Sequence, residues 1–126
     1  LDGINAEITA PSEREWKVIH NLADNSVKVN VINNDPQLYL EHINLSIQKD
    51  VSESFSYYSN NYDTVRGEVV SKRGFKRDDH ELLAVTRTVL TSTRTHFKIR
   101  AYLDAFEGDA RIFSKSWDET IPRNFV

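Results

Sequence analysis

The chain has 126 residues, with 19 acidic and 16 basic side chains for a formal net charge of -3, and no cysteine. That length fits one domain of the usual ~100–200 residues, and 39% hydrophobic with 28% charged residues suits a folded chain better than a disordered tail. Without cysteine there is no disulfide framework, no thiolate-bound zinc or iron–sulfur cluster and no thiol nucleophile, which fits a reducing compartment such as the cytoplasm.

Leu1 to Glu15 is polar, holds Ala10-Pro11-Ser12 and shows neither helical nor strand period. It reads as a leader or linker into a single β domain covering 16–126. From Trp16 a period of two begins, with Trp16, Val18 and His20 on one face and Lys17, Ile19 and Asn21 on the other. Ala23-Asp24-Asn25-Ser26 supplies a turn, because Asp and Asn tolerate tight backbone angles. Val27, Val29 and Val31 then alternate with Lys28 and Asn30 until Asn33-Asn34-Asp35-Pro36, where the proline has no N–H for a ladder. Leu38 and Leu40 share one parity, whereas Ile43, Leu45 and Ile47 share the other. One extra residue near Glu41-His42 puts all five on one face, as a β-bulge does.

Phe55, Tyr57 and Tyr58 mark a further strand, followed by a loop at Ser59-Asn60-Asn61-Tyr62-Asp63. Val65, Gly67 and Val69 alternate with Arg66, Glu68 and Val70, and Lys72-Arg73-Gly74 is expected to turn the chain. Lys76-Arg77-Asp78-Asp79 reads as another exposed connection. Asp78 and Glu81 imitate a helix capping box, but the Thr-rich, β-branched run that follows argues for strand. Phe97, Ile99, Ala101, Leu103 and Ala105 alternate strictly with His96, Lys98, Arg100, Tyr102 and Asp104, the pattern of a one-sided antiparallel strand. Glu107-Gly108-Asp109 closes a hairpin, and Ile112, Phe113 and onward to Trp117 run back. The prediction is an all-β antiparallel sheet of about seven or eight strands, as a sandwich or a strongly curved, barrel-like sheet.

Several function classes fall away. No apolar run approaches the ~20 residues of a membrane span, and no basic region followed by an apolar stretch marks a signal peptide, although a processed secreted chain would have lost it. There is no methionine, so the sequence lacks an initiator and reads as processed, trimmed or cut from a longer protein. The four histidines, His20, His42, His80 and His96, have no short ligand spacing, and no metal or cofactor site is expected. The donors Asp78, Asp79, His80 and Glu81 read as a solvated loop, and His20 as a partly buried structural residue. None of the four glycines flanks a serine as Gly-x-Ser-x-Gly, and no Gly-rich phosphate loop is present. Asp104, Glu107 and Asp109 offer paired carboxylates, but acids at a hairpin tip are ordinarily a solvated turn. The basic residues alternate with aromatics, yet the net charge is acidic and no RNP-like signature occurs, so no nucleic-acid partner is expected.

The last third carries a family signal. Leu90-Thr91-Ser92-Thr93, Thr95-His96-Phe97-Lys98-Ile99-Arg100-Ala101, Leu103-Asp104-Ala105-Phe106-Glu107-Gly108-Asp109, Arg111-Ile112-Phe113-Ser114-Lys115-Ser116-Trp117 and Ile121-Pro122-Arg123 resemble the C-terminal end of CocE/NonD-type hydrolases, also described as X-Pro dipeptidyl-peptidase (S15) like. Trp16-Lys17-Val18 looks like the start of the same module. The resemblance is strong after Val85 and loose between Val31 and Ser71. It implies an all-β, non-catalytic terminal module. The family's Ser–Asp–His machinery belongs to an α/β-hydrolase domain upstream, so no catalytic residue carries over to this chain. The implied partner is that hydrolase catalytic domain, on the same or a neighbouring chain, with the module assisting assembly or active-site access. The competing reading is a stand-alone barrel-like module holding a small apolar ligand. Phe113 and Trp117 share parity and are the candidate anchors, either of a core or of a docking face.

Overall fold

The computed structural model describes residues 6–59 and 61–124. The period-two pattern becomes nine strands: β1 (Ala6–Ala10), β2 (Glu13–Asn21), β3 (Ser26–Asn34), β4 (Gln37–Leu40), β5 (Leu45–Tyr58), β6 (Asn61–Arg77), β7 (His80–Ser92), β8 (His96–Glu107) and β9 (Ala110–Pro122). All join one antiparallel sheet. β1 pairs with β4 while β2 pairs with β3, and both β3 and β4 lie along β5, so the nine strands fill seven positions of a simple meander. β9 pairs only with β8, and β2 only with β3, so the sheet is not closed into a barrel. Nor do the described residues supply a second sheet to make a sandwich. The all-β antiparallel expectation holds, in a single layer.

The prolines explain the two broken strand paths. Pro11 separates β1 from β2 and Pro36 separates β3 from β4, and the partners Ala10↔Gln37 and Glu13↔Asn34 set these breaks opposite each other. Proline removes a ladder donor, so aligning both interruptions confines the damage to one place. Around it, the Asp35 N–H donates to the Lys49 carbonyl at 2.9 Å, and Arg14 donates to the Asn34 carbonyl and to Asp35 Oδ1. β1 and the first residues of β2 therefore belong to the sheet rather than to a leader, a correction to the reading of 1–15. Residues 1–5 of that segment lie outside the described residues.

The phase change near Leu40 also resolves differently. Leu38 faces Ile47 and Leu40 faces Leu45, because Glu41–Ile43 form a 3-10 turn that reverses the chain. The extra residue that a bulge requires falls at the Asp35–Pro36 break instead, where Asn34 opposes Asp50 but Leu38 opposes Ile47. Ile43 sits in the turn, 39% exposed, and does not face inward. Lys72-Arg73-Gly74 does not turn the chain. It lies inside β6, where Gly74 has the Gln48 and Leu83 side chains against it. The expected loop at 59–63 shortens too, since β6 begins at Asn61; Asn60 lies outside the described residues.

Tight connections make so regular a meander possible. Asn25, Asn44, Ser59, Asp78 and Gly108 all adopt left-handed backbone, with φ from 49° to 57°, one at each of five reversals. Asn, Asp and Gly are the residues that take this region at least cost. At the first reversal the Ser26 hydroxyl and amide hydrogen-bond the Asp24 carboxylate and hold it below the usual carboxylate range.

Cross-strand partners share a face, so the register divides the sheet cleanly. One face carries the row Val18, Val29, Phe55, Gly67, Leu90, Ile99, Glu119 and the neighbouring row Trp16, Val31, Glu53, Val69, Thr88, Ala101, Trp117. At the far end of this face Ile8, Leu38, Ile47, Phe75 and Leu82 align. The other face holds Lys17, Asn30, Ser54, Glu68, Val89, Arg100 and Asp118 in one row. Of the expected inward set of Val29, Val31, Ile43, Leu45, Phe97, Ile99, Ala101 and Leu103, all but Ile43 fall on the apolar face. Yet among the described residues no hydrophobic side chain is buried.

Gly108, at φ +57° with open space around it, sets the last reversal. Gly108→Val should lower stability by about 1–2 kcal/mol, because left-handed backbone is costly for a residue with a branched Cβ. Gly108→Asn should cost clearly less. Urea unfolding of both variants checks this, and equal losses would contradict the turn's role.

Candidate functional site

The polar face is a lattice of paired charges. Glu68 accepts from Arg87 Nε at 2.8 Å and from Arg66 Nη1 at 3.1 Å, which holds the Glu68 carboxyl below the usual range, the Arg87 hydrogen bond being the main cause. The same contact raises the Arg87 guanidinium. Lys17 pairs with Glu15 at 2.6 Å and Arg100 with Asp118 at 3.0 Å. Arginines and acids thus meet at several points of this face.

The other polar candidates do not converge. Asp104 and Glu107 are three residues apart on one strand and so point to opposite faces; Asp104 lies 3.8 Å from Arg111, while Glu107 faces Leu82. Asp78 accepts a hydrogen bond from the Asn44 amide, and His80, next along, is exposed at the start of β7. Among the described residues no group of three or more His, Asp or Glu is arranged to hold a metal ion. His20 shares the face of Trp16 and Val18 as expected, but it is exposed, with Nε2 2.8 Å from Asn25 Oδ1, rather than partly buried. A concavity of about 330 Å³ lies around Gly74, beside Gln48, Leu83 and Lys76, and opens to solvent. Among the described residues no helix is long and apolar enough to cross a membrane.

Arg123, which closes the quoted Ile121-Pro122-Arg123 run, is the most buried charged side chain of an ion pair here, at 6% exposed. Its Nη1 donates to Asp63 Oδ1 at 2.9 Å and to the Thr93 carbonyl, and its guanidinium lies over the Phe97 ring, 5.4 Å from the centroid. The Arg123 N–H adds a bond to the Thr95 carbonyl. Its Nε is buried with no hydrogen-bond partner among the described residues. Arg123 ties the end of β9 to the β7–β8 connection and to β6, a structural role with no reactive geometry around it.

The apolar face is the feature that stands out. Trp16 is 78% exposed, Val18 66%, Phe113 49% and Trp117 42%. Both sequence-level anchors therefore lie on this face, and neither is in a core within the chain. Phe55 lies across Gly67, where an added Cβ would come within 3.1 Å of the ring, so the aromatic fills the space the glycine leaves. Sequence reading passed over the charges on this face, among them Lys49, Glu53, Arg73, Lys115 and Glu119. Lys49 and Arg73 are direct cross-strand partners, and Glu53 lies on Lys49's strand with the same parity. Like charges directly opposite are unfavourable, and among the described residues no ion pair engages Lys49, Arg73 or Glu53. The signal was available in the parity of Ile47, Lys49, Val51, Glu53 and Phe55.

Comparison with known proteins finds no matching family model, no matching curated protein and no matching solved structure.

Glu68 provides a pH test of the polar lattice. Its lowered carboxyl means that its contribution is present above the ordinary glutamate range and is lost as pH falls through the folded-state value. Glu68→Gln should cost ~0.5–1 kcal/mol near neutral pH, as expected of a carboxylate paired with half-exposed arginines. The difference between variant and parent should shrink towards zero on acidification. Denaturant titrations at neutral and acidic pH check it, and a pH-independent difference would contradict it.

Proposed function

We propose that this chain is a non-catalytic β module of a CocE/NonD-type (S15-like) hydrolase, assisting its assembly or access to its active site. The observation that carries the reading is the exposed apolar sheet face, which needs a covering layer. A folded chain of 14.6 kDa is expected to expose about 6,900 Å². This chain exposes 9292 Å², about a third more. Large exposed apolar patches mark interaction surfaces, and a domain ordinarily buries such a face against another layer. The polar groups are consistent with a structural module, since among the described residues no nucleophile, base and oxyanion donors converge. The resemblance of the last third supplies the hydrolase context.

The reading makes two checkable statements. The gene encoding this chain should carry, in the same frame upstream, a segment with Gly-x-Ser-x-Gly. The isolated chain should turn over neither chromogenic esters nor X-Pro dipeptide substrates, and a fluorophosphonate probe should leave its serines unlabelled. Labelling abolished by replacing one serine would overturn the non-catalytic assignment.

A further inference from the structure

The apolar face has an internal symmetry that says what covers it. On β5 the residues of this face run Leu45, Ile47, Lys49, Val51, Glu53, Phe55, Tyr57. Reversed about Val51, the row reads apolar against apolar at its ends and cation against carboxylate beside its centre. The same row crosses the sheet from Val51 to Ser71, Thr86, Leu103 and Lys115. On β7 it is flanked by Ala84 and Thr88, then by Leu82 and Leu90; on β8 by Ala101 and Ala105; on β9 by Phe113 and Trp117. β5, β7, β8 and β9 are thus matched in character on either side of one line, whereas on β6 Arg73 stands opposite Val69 and Phe75 opposite Gly67 about Ser71.

We propose, resting on the reading of this face as an assembly surface, that its occupant is a second copy of this chain, stacked face to face about a two-fold axis along that row. The axis lies in the interface and runs perpendicular to the strands. It sets Lys49 of each copy against Glu53 of the other and Ile47 against Phe55, and at the edge strand it brings the two Lys115 side chains, each over its own Trp117 ring, to the axis. Arg73, beside Lys49, shares the same carboxylate, because Glu53 neighbours Val69 on the adjoining strand. The crowded Lys49–Arg73 pair and the solitary Glu53 thereby acquire partners that the single chain does not offer. Twisted sheets stack at about 30°, so the two copies approach most closely near the middle of the sheet, where β5 and β6 lie. The area agrees. An excess on the order of 2,000 Å² per chain corresponds to ~4,000 Å² buried by two, within the range of obligate dimers. The module then joins two hydrolase bodies rather than seating one on its apolar face.

Charge reversal and its rescue test this. Analytical ultracentrifugation of the unmodified chain should give a dimer at about 100 μM. Lys49→Glu and Glu53→Lys should each weaken association by about tenfold or more, since each sets like charges across the axis twice. The double variant restores opposite charges and should recover most of the loss, with circular dichroism confirming β structure throughout. The chain has no cysteine of its own, so Val51→Cys gives an independent reading. A short bis-maleimide should link two copies through residue 51, whereas Ser52→Cys on the opposite face should not link. A folded chain that stays monomeric, or a double variant as weak as the singles, overturns the second copy. A folded monomer leaves the face to the hydrolase body, and the upstream-frame and labelling experiments then decide the hydrolase reading by themselves.

Discussion

A single-layer antiparallel sheet satisfies its backbone and leaves its side chains half served. Every inner strand here has hydrogen-bonded neighbours on both sides, so the ladder needs nothing from outside. The hydrophobic term is different, because it grows with apolar area withdrawn from water. With no hydrophobic side chain buried among the described residues, most of that term is still to be realised. Regular turns, aligned prolines and charge pairs organise the sheet, but exposed ion pairs contribute little. The uncovered apolar face is therefore the constraint from which stability and function both follow.

The two faces divide the work. On the polar face, acids and bases meet within hydrogen-bonding distance, as at Glu68 with Arg66 and Arg87, while Lys28, Lys72, Lys76 and Lys98 take part in none of the ion pairs among the described residues. On the apolar face, Lys49, Glu53 and Arg73 are charged side chains among hydrophobic ones and take part in none of the ion pairs among the described residues. Burying such charges without partners is costly, so whatever layer covers them must bring complementary charge. This is how an otherwise featureless sheet face acquires direction and register.

Much of the fold was legible in the sequence because a period of two is a direct consequence of backbone geometry. The run from Phe97 to Ala105, the reversal at Gly108 and the valines of β3 all read correctly. What misled were signals that depend on neighbours. Lys72-Arg73-Gly74 has the composition of a turn, yet Gly74 is held in mid-strand between Gln48 and Leu83. Ala10-Pro11-Ser12 looked like the end of a linker, because a proline's tolerance in a sheet depends on a matching break in the next strand. The number of layers was not legible at all. Alternation states that one face is apolar, and nothing in one chain's pattern states whether the covering layer belongs to that chain. Phe113 and Trp117 were read as anchors of a core or of a docking face for that reason, and within the chain they are not core.

Both tryptophans, Trp16 and Trp117, lie on the apolar face, which makes intrinsic fluorescence a direct report of whether that face is covered. The measurement is acrylamide quenching of a Trp16→Phe variant, which isolates Trp117, under native conditions and again in urea. A covered face predicts blue-shifted emission and quenching several-fold weaker than in the unfolded chain. Native quenching as strong as in urea, from a chain whose circular dichroism is still that of a β-sheet, would show the face bare and contradict the account.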